Sequence, residues 1–443
     1  MKLRRILSVF LLAVLLSGLF CIAPAYALED PDIQAAAALL VDADSGHVLY
    51  AKNENDRRAP ASLTKLMVSL LVMEALEKGE LKLDQEITAT TSSLANLTPD
   101  SSTADIRAGE TLTVEQLLYC MLLVSANEVG DIIGEAYAGS VDAFIDMMND
   151  RATQLGCVNT HFVNSSGLDD PNHYTTAWDL YLITREVMKY PTFMTICNSK
   201  SYTVPATNIS GERELHTTNG LISNWRYLGY LYDGAVGIKT GTTPEAGRCL
   251  VSSANRSGRS LVSVMLGAGL SEDGRIMSFL ETARLFDWGF DNFAYTTVLD
   301  ENKLYAVPVE LSKETDTIMV HPRETTQVVL PKDIDKEADL TYQLDLPESV
   351  DAPIAAAQEL GTVTVIYNGE EYATVPLLAT SDVSSSRFLI AKRAVEQFIA
   401  KPYVKLGLVV LAVLIVLLII WVRLSHSRRR YRRGGKRYRG RKR

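Results

Sequence analysis

Histidine is scarce in this chain, with six among 443 residues, and no His-Glu-x-x-His pattern occurs. The acids near His161 and His173 lack metal-ligand spacing. No metal and no cofactor are therefore expected, and both histidines are read as loop supports. Cysteine is also sparse. Cys21 lies in an N-terminal apolar run, while Cys120, Cys157, Cys197 and Cys249 lack paired metal-like spacing. Buried free thiols are the expected state; an exported chain would permit a disulfide, but the spacing pairs none. Basic residues are few along most of the chain. Three of the 44 Lys and Arg precede Ile6 and twelve follow Val422, which leaves 29 against all 53 acids between them. That stretch, near −24, argues against a nucleic-acid substrate. There is no internal repeat, and long apolar runs occur only at the two ends.

The first run, Ile6 to Ile22, follows Lys2, Arg4 and Arg5 and precedes Ala25-Tyr26-Ala27. This is the order of a secretory signal peptide over 1–27, with cleavage expected after Ala27. The second run, Leu406 to Val422, spans roughly 25 Å as a helix, the short end of a membrane crossing. Lys405 and Arg423 bracket it. The tail, 423–443, holds twelve cations and no acid. Basic flanks stay on the cytoplasmic side, so a single-pass protein is expected, with its main body outside the cell membrane and its tail inside. Beside a span, anionic lipid is a better partner for such a tail than nucleic acid.

Between the ends, 28–293 reads as an α+β domain. Ala37 to Tyr50 forms a hairpin with Asp44-Ser45-Gly46 as its turn. Helical periods dominate from Ser62 to about Phe290, except for Gly234–Gly241, Arg248–Ala254 and Arg259–Leu266. These three predict an antiparallel meander. After that, 294–380 reads as a small all-β domain, with Thr326–Leu330, Leu340–Leu346, Thr362–Tyr367 and Tyr372–Leu377 as strands. Asn368-Gly369 predicts a tight hairpin. Ser381 to Ser386 is a polar linker, and 381–405 leads to the span through either an amphipathic basic helix or a flexible stalk.

Three short motifs carry chemistry. Ser62-Leu63-Thr64-Lys65 follows Pro60 and opens an apolar helical run through Leu66, Met67, Leu70, Met73 and Leu76. Residues three apart share a helix face, so a hydroxyl and an amine sit side by side, and a desolvated lysine can activate a serine. Such a base must fall about three units below its usual pKa of about 10.4, which burial and a second cation can achieve. Ser125-Ala126-Asn127 ends the apolar stretch Leu117–Val124 and offers a proton relay and a carboxamide. Lys239-Thr240-Gly241-Thr242 ends the strand Ala235–Ile238. It supplies a fixed positive charge, a close-approach glycine and two hydroxyls, on an edge that can pair with an extended peptide. Each motif alone is an ordinary cap, turn or strand.

Together, and in this order, the three resemble the low-molecular-mass penicillin-binding D-alanyl-D-alanine carboxypeptidases. These belong to the serine β-lactamase and transpeptidase superfamily. The likeness extends through Ala59–Met67, Met148-Asn149, Leu155-Gly156, Thr160-His161-Phe162, Asn164, Gly167-Leu168 and His173–Ala177 with Asp179-Leu180. It continues over Gly237–Thr243, Ala246-Gly247 and Cys249-Leu250, covering roughly Ala36 to Phe290. The β domain and C-terminal anchor fit the family layout. The resemblance implies a β-lactamase/transpeptidase-like catalytic domain, an antiparallel sheet flanked by helices. It implies catalytic Ser62, Lys65 and Ser125, as nucleophile, general base and proton relay. It implies substrate binding by Asn127, Lys239, Thr240, Gly241 and Thr242, with the amides of Ser62 and Thr242 as oxyanion hole. The implied substrate is a peptidoglycan stem peptide ending in D-Ala-D-Ala, with β-lactams as covalent inhibitors. In this chain Glu128-Val129 stands where relatives often have Asp-Ala, with little catalytic effect expected. Arg275 is the nearest match to a carboxylate-binding arginine ahead of Trp288-Gly289-Phe290, but its spacing is a turn too long. The rival readings are a β-lactamase, for which no Glu-x-x-x-Asn segment is evident, a non-catalytic β-lactam receptor, and a zinc peptidase.

Overall fold

The computed structural model describes residues 28–434. The expected signal peptide and the last part of the basic tail lie outside the described residues. Contacts divide the chain into two units. One runs to Ala294 and takes back Val329–Asp333; the other comprises Tyr295–Val328 and the chain from Ile334 onward.

The first unit is built on five strands: β1 (Ala37–Asp42), β2 (Val48–Lys52), β3 (Ala235–Thr243), β4 (Gly247–Arg256) and β5 (Arg259–Ala268), in the order β2-β1-β5-β4-β3. All neighbours are antiparallel, and β3-β4-β5 form the expected meander. β1 is buried along its whole length. Strand side chains alternate between faces, and the sequence AALLVD is apolar on both. Ala37, Leu39 and Val41 join one core; Ala38 and Leu40 join another on the opposite face. The first core also takes the helix α1 (Lys65–Glu77), which is buried all round up to Met73, as well as α2 (Val114–Leu123) and α3 (Glu128–Ala138). The second is filled from α4 (Met277–Asn292) by Phe279, Leu285, Phe286 and Phe290. The unit is thus helices, sheet, helix.

Helical period alone does not describe the stretch from Ser62 to Phe290. Two small hairpins interrupt it, Glu86–Thr88 with Thr111–Thr113 and Ser201–Val204 with Arg213–His216. Their strands are three or four residues long, too short for an alternating pattern to stand out. The four cysteines are buried and free.

The second unit holds a six-stranded sheet made from β6 (Tyr305–Glu310), β7 (Thr317–Pro322), β8 (Leu340–Asp345), β9 (Val350–Asp351), β10 (Glu359–Tyr367) and β11 (Glu370–Ala379). Its order is β8-β10-β11-β7-β6-β9. The β10–β11 hairpin turns at Asn368-Gly369, both with positive φ, the backbone that this dipeptide favours. β6 and β7 carry no equally clear turn signal and are absent from the sequence-based strand set. Residues 381–386 are more than a free linker: Val383 pairs with Ile354 and Ser385 with Ser312. From Arg387 the chain is helical, α5 (Arg387–Ala400), then α6 (Pro402–Gly434). Within α6, Pro402–Ser425 is long and apolar enough to cross a membrane.

Candidate active site

Ala61–Thr64 forms a single 3-10 turn that runs into α1 and places Ser62 one turn ahead of Lys65. Ser62 is half-buried and Lys65 fully buried. Lys65 Nζ lies 3.0 Å from Ser62 Oγ, 2.9 Å from Asn127 Oδ1 and 2.6 Å from the Ser166 carbonyl oxygen. The last two can only accept hydrogen bonds. A neutral amine has two hydrogens and one lone pair. Its hydrogens go to Asn127 and Ser166, so the lone pair faces Ser62, the one partner with a proton to give. Burial first, and then the nearby Lys239 cation, pull Lys65 well below the ordinary lysine value. Geometry and electrostatics therefore both prepare Lys65 as a base.

The turn itself is braced from below. The Val163 amide donates to His173 Nδ1 at 3.0 Å, so the neutral ring carries its proton on Nε2 and donates to Thr64 Oγ1 at 2.8 Å. Thr64 donates to the Ala61 carbonyl at 2.9 Å. Burial pushes His173 down to about 4, which keeps the ring neutral and this direction of bonding fixed. Gly167 presses on the same turn: a Cβ there would overlap the Ala61 carbonyl oxygen and lie 2.9 Å from Ser62 N.

A capping box between Thr113 and Gln116 starts α2, which runs to Leu123. Ser125, next after the Val124 cap, has φ +63, a left-handed backbone uncommon for serine. Asn127 follows at the head of α3, its amide donating to the Ser102 carbonyl at 2.8 Å. Lys239 Nζ donates to Ser125 Oγ at 3.0 Å and to the Thr240 carbonyl at 2.8 Å. The sequence suggests a fixed charge at Lys239, but burial drags this amine to about 7. It titrates near neutrality, and a bound carboxylate would favour its protonated form.

Register explains the rest of the third motif. A bulge between Val236 and Lys239 resets β3, and such bulges re-aim side chains. Lys239 and Gly241 then face the Ser62 turn; a Cβ on Gly241 would come to 3.0 Å from Ser62 N. Thr240 and Thr242 lie on the other face. Thr240 meets Thr218 Oγ1 at 2.6 Å, and Thr242 pairs across the ladder with Arg248. Ser62, Ser125, Thr240, Gly241 and Thr242 line one cleft of about 140 Å³. A larger depression of about 1010 Å³ lies elsewhere on this unit, beside Arg57, Asp170 and Glu245. Its lining contains none of the three motifs' residues.

All eight sequence-selected residues thus meet at one place. Asp131 escapes the sequence reading, and Glu128 enters it only as a departure from the family pattern. Asp131 Oδ1 accepts from Ser165 Oγ at 2.5 Å and Asp131 Oδ2 from Asn96 at 2.8 Å, which anchors the segment that carries Ser166. A Cβ on Gly130 would fall on the Ser165 side chain. Glu128 accepts from Thr103 Oγ1 at 2.7 Å and from the Ala104 amide at 2.9 Å. Two acids one turn apart at the start of an apolar helix were the available signal. Arg275, the candidate carboxylate ligand, instead donates to the Gly229 carbonyl and lies over Tyr230; it is not among the residues that line the cleft. Arg226 and Arg248 are. Among the described residues, no group of three or more His, Cys, Asp or Glu is placed to hold a metal.

Residues 25–269 match the family model described as D-alanyl-D-alanine carboxypeptidase. The chain belongs to this family. Residues 293–385 match the model of the penicillin-binding protein 5 C-terminal domain. The chain is 30% identical to the D-alanyl-D-alanine carboxypeptidase DacF of Bacillus subtilis (strain 168), over 87% of this chain and 96% of the relative. It is also 30% identical to the DacA enzyme of Escherichia coli (strain K12), over 81% and 86%. The solved structure of penicillin-binding protein 5 from Haemophilus influenzae superposes with a TM-score of 0.63 at 29% identity. That match covers 81% of this chain and all (100%) of the solved one. The protein is a serine-type D-Ala-D-Ala carboxypeptidase of the penicillin-binding protein 5 group. Membership implies D-Ala-D-Ala substrates and β-lactam binding, and the apolar C-terminal helix suggests a membrane anchor.

Proposed function

We propose that Ser62 attacks the carbonyl of the penultimate D-alanine of a peptidoglycan stem peptide while Lys65 Nζ takes its proton. The C–N bond breaks, and Ser125, held by Lys239, relays the proton that Lys65 took from Ser62 to the departing D-alanine amine, which leaves Lys65 neutral again. Lys65 then takes a proton from water, the hydroxide attacks the ester carbonyl, and the proton returns to Ser62 Oγ as the C–O bond breaks. Asn127 uses Oδ1 on Lys65, which leaves its NH₂ for the substrate amide. The amides of Ser62 and Thr242 hold the oxyanion, and Thr240 and Thr242 receive the terminal carboxylate. β-Lactams acylate Ser62 by the same attack. The observation that carries this reading is the pair of acceptor-only partners that turns the Lys65 lone pair toward Ser62.

Among the described residues, no Asp or Glu lines the cleft. A second, carboxylate-activated water for rapid penicillin turnover therefore has no acid to serve it, which favours a carboxypeptidase over a β-lactamase. The chain is exported and spans the membrane once through α6, with the catalytic unit outside and the basic tail at the inner lipid surface. In the test, Ser62→Ala should abolish D-alanine release from a D-Ala-D-Ala peptide and eliminate the penicillin adduct in intact-protein mass spectrometry. An adduct persisting on the variant would refute the assignment.

A further inference from the structure

Arg226 and Arg248 reach the cleft from separate elements, the first from the loop after the Arg213–His216 strand and the second from β4. Most arginines of this unit are occupied: Arg151 pairs with Glu74, Arg213 with Glu110, Arg256 with Asp287 and Arg259 with Asp42. Among the described residues, the side chains of Arg226 and Arg248 have no hydrogen-bond or ion-pair partner, and the cleft they line contains no acid. Lys239 lies behind the same cleft on Ser125. One terminal carboxylate neutralises one of these cations. Arg248, opposite Thr242 in the ladder, is placed for that carboxylate beside the threonine hydroxyls. Arg226, which lines the same cleft, is left over.

We propose that Arg226 is a specificity-determining residue that binds a second carboxylate of the stem peptide, carried on a side chain upstream of the D-Ala-D-Ala terminus. The enzyme then prefers stem peptides whose third residue bears a free side-chain carboxylate over those with a neutral or cationic one. This rests on the carboxypeptidase reading above. Arginine suits the task because its planar fork matches a carboxylate and it cannot lose its charge.

The test uses detergent-solubilised full-length protein and three N-acetyl tripeptides ending in D-Ala-D-Ala, with L-aminoadipate, L-norleucine or L-lysine ahead of it. Wild type should favour aminoadipate over norleucine in kcat/KM by about tenfold or more, the scale of a hydrogen bond to a charged group, and should disfavour lysine. Arg226→Gln should bring the aminoadipate-to-norleucine ratio close to one while retaining preference for a free C-terminal acid over its amide. Arg248→Gln should do the reverse. A wild-type ratio near one, or an Arg226→Gln loss equal on all three peptides, would overturn the proposal while leaving the carboxypeptidase intact. Absence of D-alanine release from every peptide, with no penicillin adduct on wild type, would instead defeat the underlying reading, and the proposal with it.

Discussion

Replacing Gly167 with alanine tests whether the nucleophile turn is held by the loop packed against it. Gly167 has φ +88, and a methyl there would overlap the Ala61 carbonyl oxygen and crowd Ser62 N at 2.9 Å. Both neighbours are backbone, so neither can rotate away. Forcing a side chain into a filled site costs about 1–3 kcal/mol, and the left-handed backbone adds about 1–2 kcal/mol for a residue with a Cβ. The sum, roughly 2–5 kcal/mol, is a large share of the ~5–15 kcal/mol that holds a typical protein folded. The kinetic effect should exceed the loss of stability. Ser166 O, one residue away, takes a hydrogen from Lys65, so the clash moves Ser62 and its base apart. A misplacement of about 1 Å can cost about 100-fold in rate. The assay is the second-order rate of penicillin labelling beside a thermal melt. Gly269→Ala, where a Cβ meets nothing within 4 Å, is the control and should be silent. Gly241→Ala, with its nearest contacts at 3.0–3.2 Å, should fall between the two. Wild-type labelling by Gly167→Ala would show that the loop does not position the turn.

Stability should fall as pH drops from about 6.5 toward 4 and then level off with respect to His173. Its folded pKa is depressed to about 4, so the unfolded chain binds the proton first in that window; His173→Phe should flatten this part of a melting-temperature profile. Penicillin labelling should keep a fast phase well below the pH at which an ordinary lysine deprotonates. Lys239→Met, which removes a cation that lowers Lys65, should shift the acid limb of the residual labelling rate to higher pH. KM for a D-Ala-D-Ala peptide should rise above about pH 7 as Lys239, at about 7, loses its charge; a flat KM through pH 9 would contradict this. Truncation before Leu406 should release a soluble enzyme with unchanged kcat, measured on a short peptide without membranes.

The site was legible in the sequence to the extent that its chemistry is local. Ser62 and Lys65 are tied by helical spacing, and Lys239 through Thr242 by one strand, so short patterns announce them. The meander was legible for the same reason, since its turns lie between adjacent segments. What escaped depends on contacts between distant segments. Nothing in the immediate neighbours of Asp131 shows that its partner is Ser165. Nor does spacing reveal that Arg275 turns to Gly229 while Arg248 faces the cleft. The charge state of Lys239 was unreadable for a related reason. An identical tetrad at an exposed strand edge would keep a permanent cation, and it is burial that lowers its pKa.

Burial also explains why one cavity holds two lysines. Two cations this close would repel if both were charged, and burial penalises each alone. Burial first and then the Lys239 cation pull Lys65 well down, while Glu128 and Asp131 oppose the fall. One proton can therefore sit on Lys239, where it faces Ser125 and an incoming carboxylate, while Lys65 stays free to accept another from Ser62. A buried acid pair that offset Lys239 completely would return Lys65 toward a charged, inert state. That Glu128 is held by Thr103 and Ala104, and Asp131 by Ser165 and Asn96, rather than by either lysine, keeps these anions close enough to limit the repulsion and too distant to quench the base.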